Sequence, residues 1–148
     1  MKIGSNVFIA SILPTDILRA AYAVAYRVPE SRVAVLPDPL ESWPDADVVL
    51  ERFGGDILPG DYPTQVQPWG PDDRTDSRDI TRSLSIALGI PVLALSERDD
   101  DDFELYLPDG AIHRVAVTQD DDGGLRNTPE MRLRISAARS ARPPARAA

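Results

Sequence analysis

Four sets of side chains in this sequence have the types that chemistry needs. His113 is the only histidine, so neither a two-histidine metal site nor a histidine pair can form within one chain. A Ser-His-Asp triad needs one histidine only, but His113 shares strand parity with Val115 and Val117 just past a turn, which is where a structural edge histidine stands. Asp99, Asp100, Asp101 and Asp102 form one acidic run, and Asp120, Asp121 and Asp122 a second. Runs of carboxylates can ligate Ca²⁺ or Mg²⁺, yet neither run continues to the glutamate that closes an EF-hand loop. Adjacent Asp side chains also diverge unless the backbone curls around an ion, so both runs read as solvated loops. Glu51 and Glu104 are a conceivable acid–base pair, but each lies in a strand-like stretch and nothing in the sequence brings them together.

The fourth set is the most informative. Trp43, Phe53, Tyr62 and Trp69 fall in a middle region rich in turn signals, with Asp45, Asp47, Asp56, Asp61, Asp72 and Asp73 among them. Aromatic rings rimmed by carboxylates are the composition of a binding face for a basic protein, the rings anchoring and the charges steering. The partner-binding residues expected on this basis are Trp43, Asp45, Asp56, Asp61, Tyr62, Trp69, Asp72 and Asp73, with Asp99, Asp100, Asp101 and Asp102 beside them. No catalytic residue, metal ligand or cofactor is expected. The chain has no G-x-G-x-x-G, no G-x-x-x-x-G-K-[ST], no H-E-x-x-H and no G-x-S-x-G.

The elements that must position these residues are clearest over Thr75–Thr118. Thr75, Asp76 or Ser77 can cap a helix, and Ile80, Leu84, Ala87 and Leu88 lie on one stripe of it. Gly89 suits the left-handed residue after its end, and Pro91 prevents continuation. Val92–Leu95 reads as a buried strand, and the acidic stretch after it as a solvated connection. Phe103, Leu105 and Leu107 alternate with polar neighbours, and Pro108-Asp109-Gly110 turns the chain into a returning strand. Earlier, Asn6–Leu13 reads as a strand and Pro14-Thr15-Asp16 opens a helix whose inward stripe is Ile17, Ala20 or Ala21, Val24 and Val28. Tyr22 and Tyr26 then sit at the helix–sheet margin, and Pro29 ends the helix. Arg32–Leu36 and Asp47–Phe53 read as strands, and Thr64–Val66 as a short one that Pro68-Trp69-Gly70-Pro71 must break. After a flexible turn at Asp120–Gly124, Met131–Ile135 reads as an edge strand.

This order predicts an α+β two-layer sandwich on the ferredoxin-like βαββαβ plan, extended by a C-terminal hairpin, with a small α/β domain as the alternative. Residues 1–135 would form one globular domain and residues 136–148 a disordered tail rich in Arg, Ala and Pro. The charge is unevenly placed. Up to Met131 there are 11 basic residues against 24 acidic, a balance of −13, and from Arg132 onward five arginines and no acid. An acidic body disfavours nucleic acid and anionic membranes and favours a basic protein partner. The absence of cysteine excludes disulfides and thiol catalysis. With no span of about 20 apolar residues, and no stretch that reads as a signal peptide, a cytoplasmic protein is expected.

In size, charge and layout the chain is similar to the small, acidic, cysteine-free immunity proteins that neutralise bacterial toxins. That similarity implies a non-enzymatic inhibitor acting by steric occlusion of a basic partner, possessing no catalytic residues of its own. A metal-assisted hydrolase built on clustered aspartates is the alternative, and a nucleic-acid-mimicking inhibitor or accessory subunit a further one. The steering role assigned to Asp99–Asp102 implies that Asn replacements there slow association more at low than at high salt.

Overall fold

A computed structural model of the chain describes residues 1–36, 45–53, 58–73, 76–96 and 102–141. The fold is α+β, a mixed eight-stranded sheet with helices against it. In chain order the elements are β1 (Lys2–Ile3), β2 (Val7–Ile9), helix α1 (Thr15–Tyr26), β3 (Val33–Leu36), β4 (Val48–Arg52), β5 (Thr64–Gly70), helix α2 (Ser77–Leu88), β6 (Val92–Leu95), β7 (Phe103–Tyr106) and β8 (Ile112–Val115). A two-stranded ribbon of β9 (Thr118–Gln119) and β10 (Leu125–Arg126) then leads to helix α3 (Pro129–Ala141).

The strands lie in the order β3-β4-β5-β2-β6-β7-β8, with β1 alongside the end of β5. β2 is antiparallel to both β5 and β6, whereas β3 and β4 are parallel. Consequently β2–α1–β3 and β5–α2–β6 each join strands that run the same way, with other strands between them. The ferredoxin-like plan has two strands between its helices. Here there are three, and the last of them, β5, is the one beside β2.

The strand expected to break at Pro68 instead runs on to Gly70 as the middle of the sheet. Proline removes a donor, and its position makes that harmless. In a strand the N–H and C=O of one residue point to the same side. The Pro68 carbonyl accepts from Gly4 N at 2.9 Å, so its missing N–H faces the break between β1 and β2 and not the β4 ladder.

α1 and α2 cover one face. Leu18, Ala21, Tyr22, Ala25 and Tyr26 pack with Leu84 onto Val7, Ile9, Val35, Leu50 and Val66. The buried stripe of α1 therefore runs through residues 18, 21, 22, 25 and 26, not through Ile17 and Val24, which are exposed. Tyr22 and Tyr26 stack with ring centroids 6.2 Å apart inside this core. α2 matches its expectation closely. Asp76 caps it, accepting from Arg78 N and Asp79 N, and Gly89 ends it in the left-handed conformation, although Ala87 lies outside the buried stripe.

The other face is covered over β2, β6, β7 and β8 by α3, whose Met131, Ile135 and Ala138 meet Phe8, Leu93, Leu105 and Val115. Met131–Ile135 is thus helix and not an edge strand, and the helix continues through residues 136–141 of the expected tail. Thr128 begins α3 by accepting from Met131 N at 3.3 Å, with Pro129 in the first helical position, where its missing N–H costs nothing. The turn at Pro108-Asp109-Gly110 forms as expected. Gly110 has φ 91°, a conformation that favours glycine, and donates to the Leu107 carbonyl at 2.9 Å. Asp120–Gly124 is a closed hairpin turn, with Gly123 N bonded to the Asp120 carbonyl and Asp120 N to the Gly124 carbonyl. No described helix is long and apolar enough to cross a membrane.

Candidate functional site

The sheet gathers carboxylates at the end where β4 begins and β5 finishes. Because these strands are antiparallel, with Val49 opposite Trp69, the residues before β4 and after β5 arrive side by side. α1 also ends here and α2 begins here. Asp45 is exposed just before β4, and Asp47 makes a two-pronged ion pair with Arg32. Beyond β5 come Asp72 and Asp73, both exposed, then Asp76 and Asp79 in the first turn of α2. The Asp72 carboxylate lies 3.5 Å from the amino group of Met1.

Between the last turn of α1 and the first turns of α2 is an open cleft of about 330 Å³, lined by Tyr26, Arg27, Asp73, Asp76, Asp79 and Ile80 among others. Among the described residues Arg27 is its one lining cation. This residue takes a left-handed conformation, φ 58°, so that its N–H reaches the carbonyls of Ala23 and Val24 at the close of α1. Burial pushes the Tyr26 phenol up to about 12, so the ring enters the wall of the cleft as a neutral group. The cleft offers carboxylate acceptors and one aromatic edge. Carboxylates grouped in this way can accept charge-assisted hydrogen bonds from cationic groups.

Of the expected partner-binding residues, Trp43, Asp56, Asp99, Asp100 and Asp101 lie outside the described residues. Asp45, Trp69, Asp72 and Asp73 come together at the acidic end. Trp69 points to the face opposite α1 and α2, and its indole N–H donates to Glu51 Oε1 at 3.0 Å. Asp102 stands at the same end but three strands away from β5, about 14 Å, and is held by Arg114 at 2.8 Å.

Asp61 and Tyr62 are at the other end of the sheet. Tyr62 is 1% exposed, a core residue whose hydroxyl donates to Asn127 Oδ1 at 2.6 Å, and burial with the nearby Asp61 charge raises its pKa well above the usual tyrosine value. Asp61 accepts from Asn127 N at 2.8 Å and so fixes the approach to α3. These two residues build structure and add nothing to the acidic end. Next to them a second cleft, of about 400 Å³, runs between Ser11, Asp61, Asn127 and Arg139.

The remaining sets of residues resolve as follows. His113 lies on edge strand β8 and accepts from Arg134 of α3 at 3.1 Å, a contact that ties the helix to the sheet. Glu51 and Glu104 are four strands apart, about 19 Å, on opposite faces, and Glu104 pairs with Arg78 at 2.9 Å. Asp120 pairs with Arg126, and Asp122 accepts from Gly124 N at 2.9 Å, so both serve the β9–β10 turn. Among the described residues no three histidine, aspartate or glutamate side chains converge as metal ligands would.

The fold and its acidic end define a small α+β protein with carboxylates gathered at one end of its sheet. No family model, curated protein or solved structure matches the chain. Composition alone does not select Asp76, Asp79 and Arg27, because they join the acidic end only through the meeting of the two helix termini. The sequence signal for them was present as a capping aspartate and a helix-ending proline, each interpretable locally but not as neighbours.

Proposed function

We propose that this protein is a non-enzymatic binding module that receives a basic protein partner on its acidic end and blocks that partner's working surface, as a small acidic immunity-type inhibitor would. The observation that carries the reading is the gathering of Asp45, Asp72, Asp73, Asp76 and Asp79 at one end of the sheet, where Asp73, Asp76 and Asp79 line a cleft whose one cation among the described residues is Arg27. Exposed carboxylates grouped in this way raise the local concentration of a cationic partner and speed its encounter. Trp69, at the same end but on the opposite face of the sheet, supplies aromatic area of the kind that anchors interfaces.

The test is affinity capture by the full chain from the source lysate at low and at moderate salt, followed by kinetics on the protein retained. One dominant basic protein is expected to survive moderate salt. Changing Asp72 and Asp73 to Asn should slow its association about tenfold at low salt, whereas changing Asp120 and Asp122 to Asn, at the far end, should leave the rate unchanged. A partner that binds both variants equally, or no stoichiometric partner at moderate salt, overturns the proposal.

A further inference from the structure

Helix α1 is apolar on two sides. One side packs on the sheet. The other carries Ile17, Ala20 and Val24, spaced by three and four residues and therefore aligned along the helix. Ile17 is 48% and Val24 63% exposed, and Ala20 is half-buried. Single exposed aliphatic residues are ordinary on a protein surface. Two branched side chains in line over a small one form a ridge and a notch, which is a shape another helix can fill. The stripe is bounded by charges of opposite sign, Asp16 at its N-terminal end and Arg27 at its C-terminal end, both exposed. Neither makes an ion pair among the described residues.

We propose that this stripe is a self-association surface, on which α1 of a second copy of the chain lies antiparallel about a two-fold axis. An antiparallel register that sets Asp16 against Arg27 also sets Val24 against Ala20, each pair occurring twice as two-fold symmetry requires. The branched Val24 then enters the space left by the small Ala20, and Ile17 lies along the methylenes of the opposing Arg27. A parallel arrangement would place Asp16 against Asp16 and Arg27 against Arg27, so the charges select the antiparallel one. The balance of one acid and one base distinguishes this stripe from the acidic end, which suits a cation. A single helix crossing buries less than the roughly 1,200 Å² of a standard interface, so the dimer is weak and concentration-dependent. Two chains of net charge −8 also repel, so moderate salt is the proper condition for observing it.

The experiment is sedimentation equilibrium of the full chain at moderate salt from micromolar to near-millimolar concentration. It compares the wild type with Val24→Glu, Asp16→Arg, Arg27→Asp and the double reversal Asp16→Arg/Arg27→Asp. Each site is exposed, and Asp tolerates the left-handed conformation at position 27. The wild type is expected to show a monomer–dimer equilibrium that Val24→Glu weakens at least about tenfold. Each single reversal should weaken it, and the double reversal should return it to within about threefold of the wild type. A wild type that stays monomeric throughout, a Val24→Glu variant that associates unchanged, or a double reversal no better than the singles overturns the proposal. Val24 does not line the acidic cleft, so Val24→Glu should still capture a basic partner, and failure of one proposal is separable from failure of the other.

Discussion

Tyr22 is the residue whose environment conflicts most with its chemistry. Its hydroxyl is fully buried and meets no hydrogen-bond partner among the described residues, while its ring stacks on Tyr26 in the core beneath α1. A buried hydroxyl that has left water without replacing the lost hydrogen bond costs free energy. Tyr22→Phe removes that cost and keeps the ring. The variant should be more stable by about 1 kcal/mol, measured as a higher urea midpoint at unchanged slope. A loss of stability would mean that the hydroxyl has found a partner. The sequence places the tyrosine pair at the margin because α1 has two apolar stripes. The stripe through Ile17 and Val24 is richer in branched aliphatics than the buried one, which is made of Leu18, alanines and the two tyrosines. Periodicity finds both stripes but cannot choose between them.

At the scale of elements, β5 shows what local signals miss. A Pro-Trp-Gly-Pro stretch reads as a break, yet its first three residues lie in the strand, which ends only before Pro71, and Pro68 and Gly70 fit it for tertiary reasons. Pro68 faces the gap between β1 and β2. Gly70 is required by close approach, since a Cβ built there would stand 2.3 Å from Tyr26 Cε1 on the helix above. Gly70→Ala forces that buried ring to move and should cost about 1–3 kcal/mol in chemical denaturation. An unchanged stability would show that α1 can shift away from the sheet at little cost. α2 and the β7–β8 hairpin were legible because a cap, a stripe and a terminating glycine or turn all agree locally. α3 was not, because Met131, Leu133 and Ile135 alternate with arginines and imitate a strand. The helical spacing of Met131, Ile135 and Ala138, together with Thr128-Pro129 at the start, is the signal that decides the matter. The candidate site was half legible for the same reason. Composition marks Asp45, Trp69, Asp72 and Asp73, but their meeting depends on the antiparallel pairing of β4 with β5, which no local pattern encodes.

Across the whole molecule, the sheet holds two cores, one under α1 and α2 and one under α3, and buried tyrosines sit in both. Tyr22, Tyr26 and Tyr106 belong to the first and Tyr62 to the second. Burial raises the phenols of Tyr22, Tyr26 and Tyr62 above their ordinary value, Tyr26 to about 12 and the other two in the same direction. In the unfolded chain these groups ionise near pH 10, whereas in the folded chain they hold their protons until higher pH. Below the unfolded value both states carry the same protons and the tyrosines make no pH-dependent difference. Above it the folded state binds more protons than the unfolded one, so stability falls as pH rises. Each tyrosine contributes a slope of about 1.4 kcal/mol per pH unit between its unfolded and folded values. The expected result is stability that the tyrosines leave flat up to about pH 9 and that then declines steeply between about 10 and 12. Phenolate absorbance should appear together with the loss of helical circular dichroism. Tyr62→Phe should lessen the slope by one tyrosine's share while keeping a single transition, because the two cores share β2, β6 and β7 and cannot melt apart without breaking the sheet. Two separated alkaline transitions, with Tyr62 ionising in one and Tyr22 and Tyr26 in the other, would show that the α3 side unfolds independently.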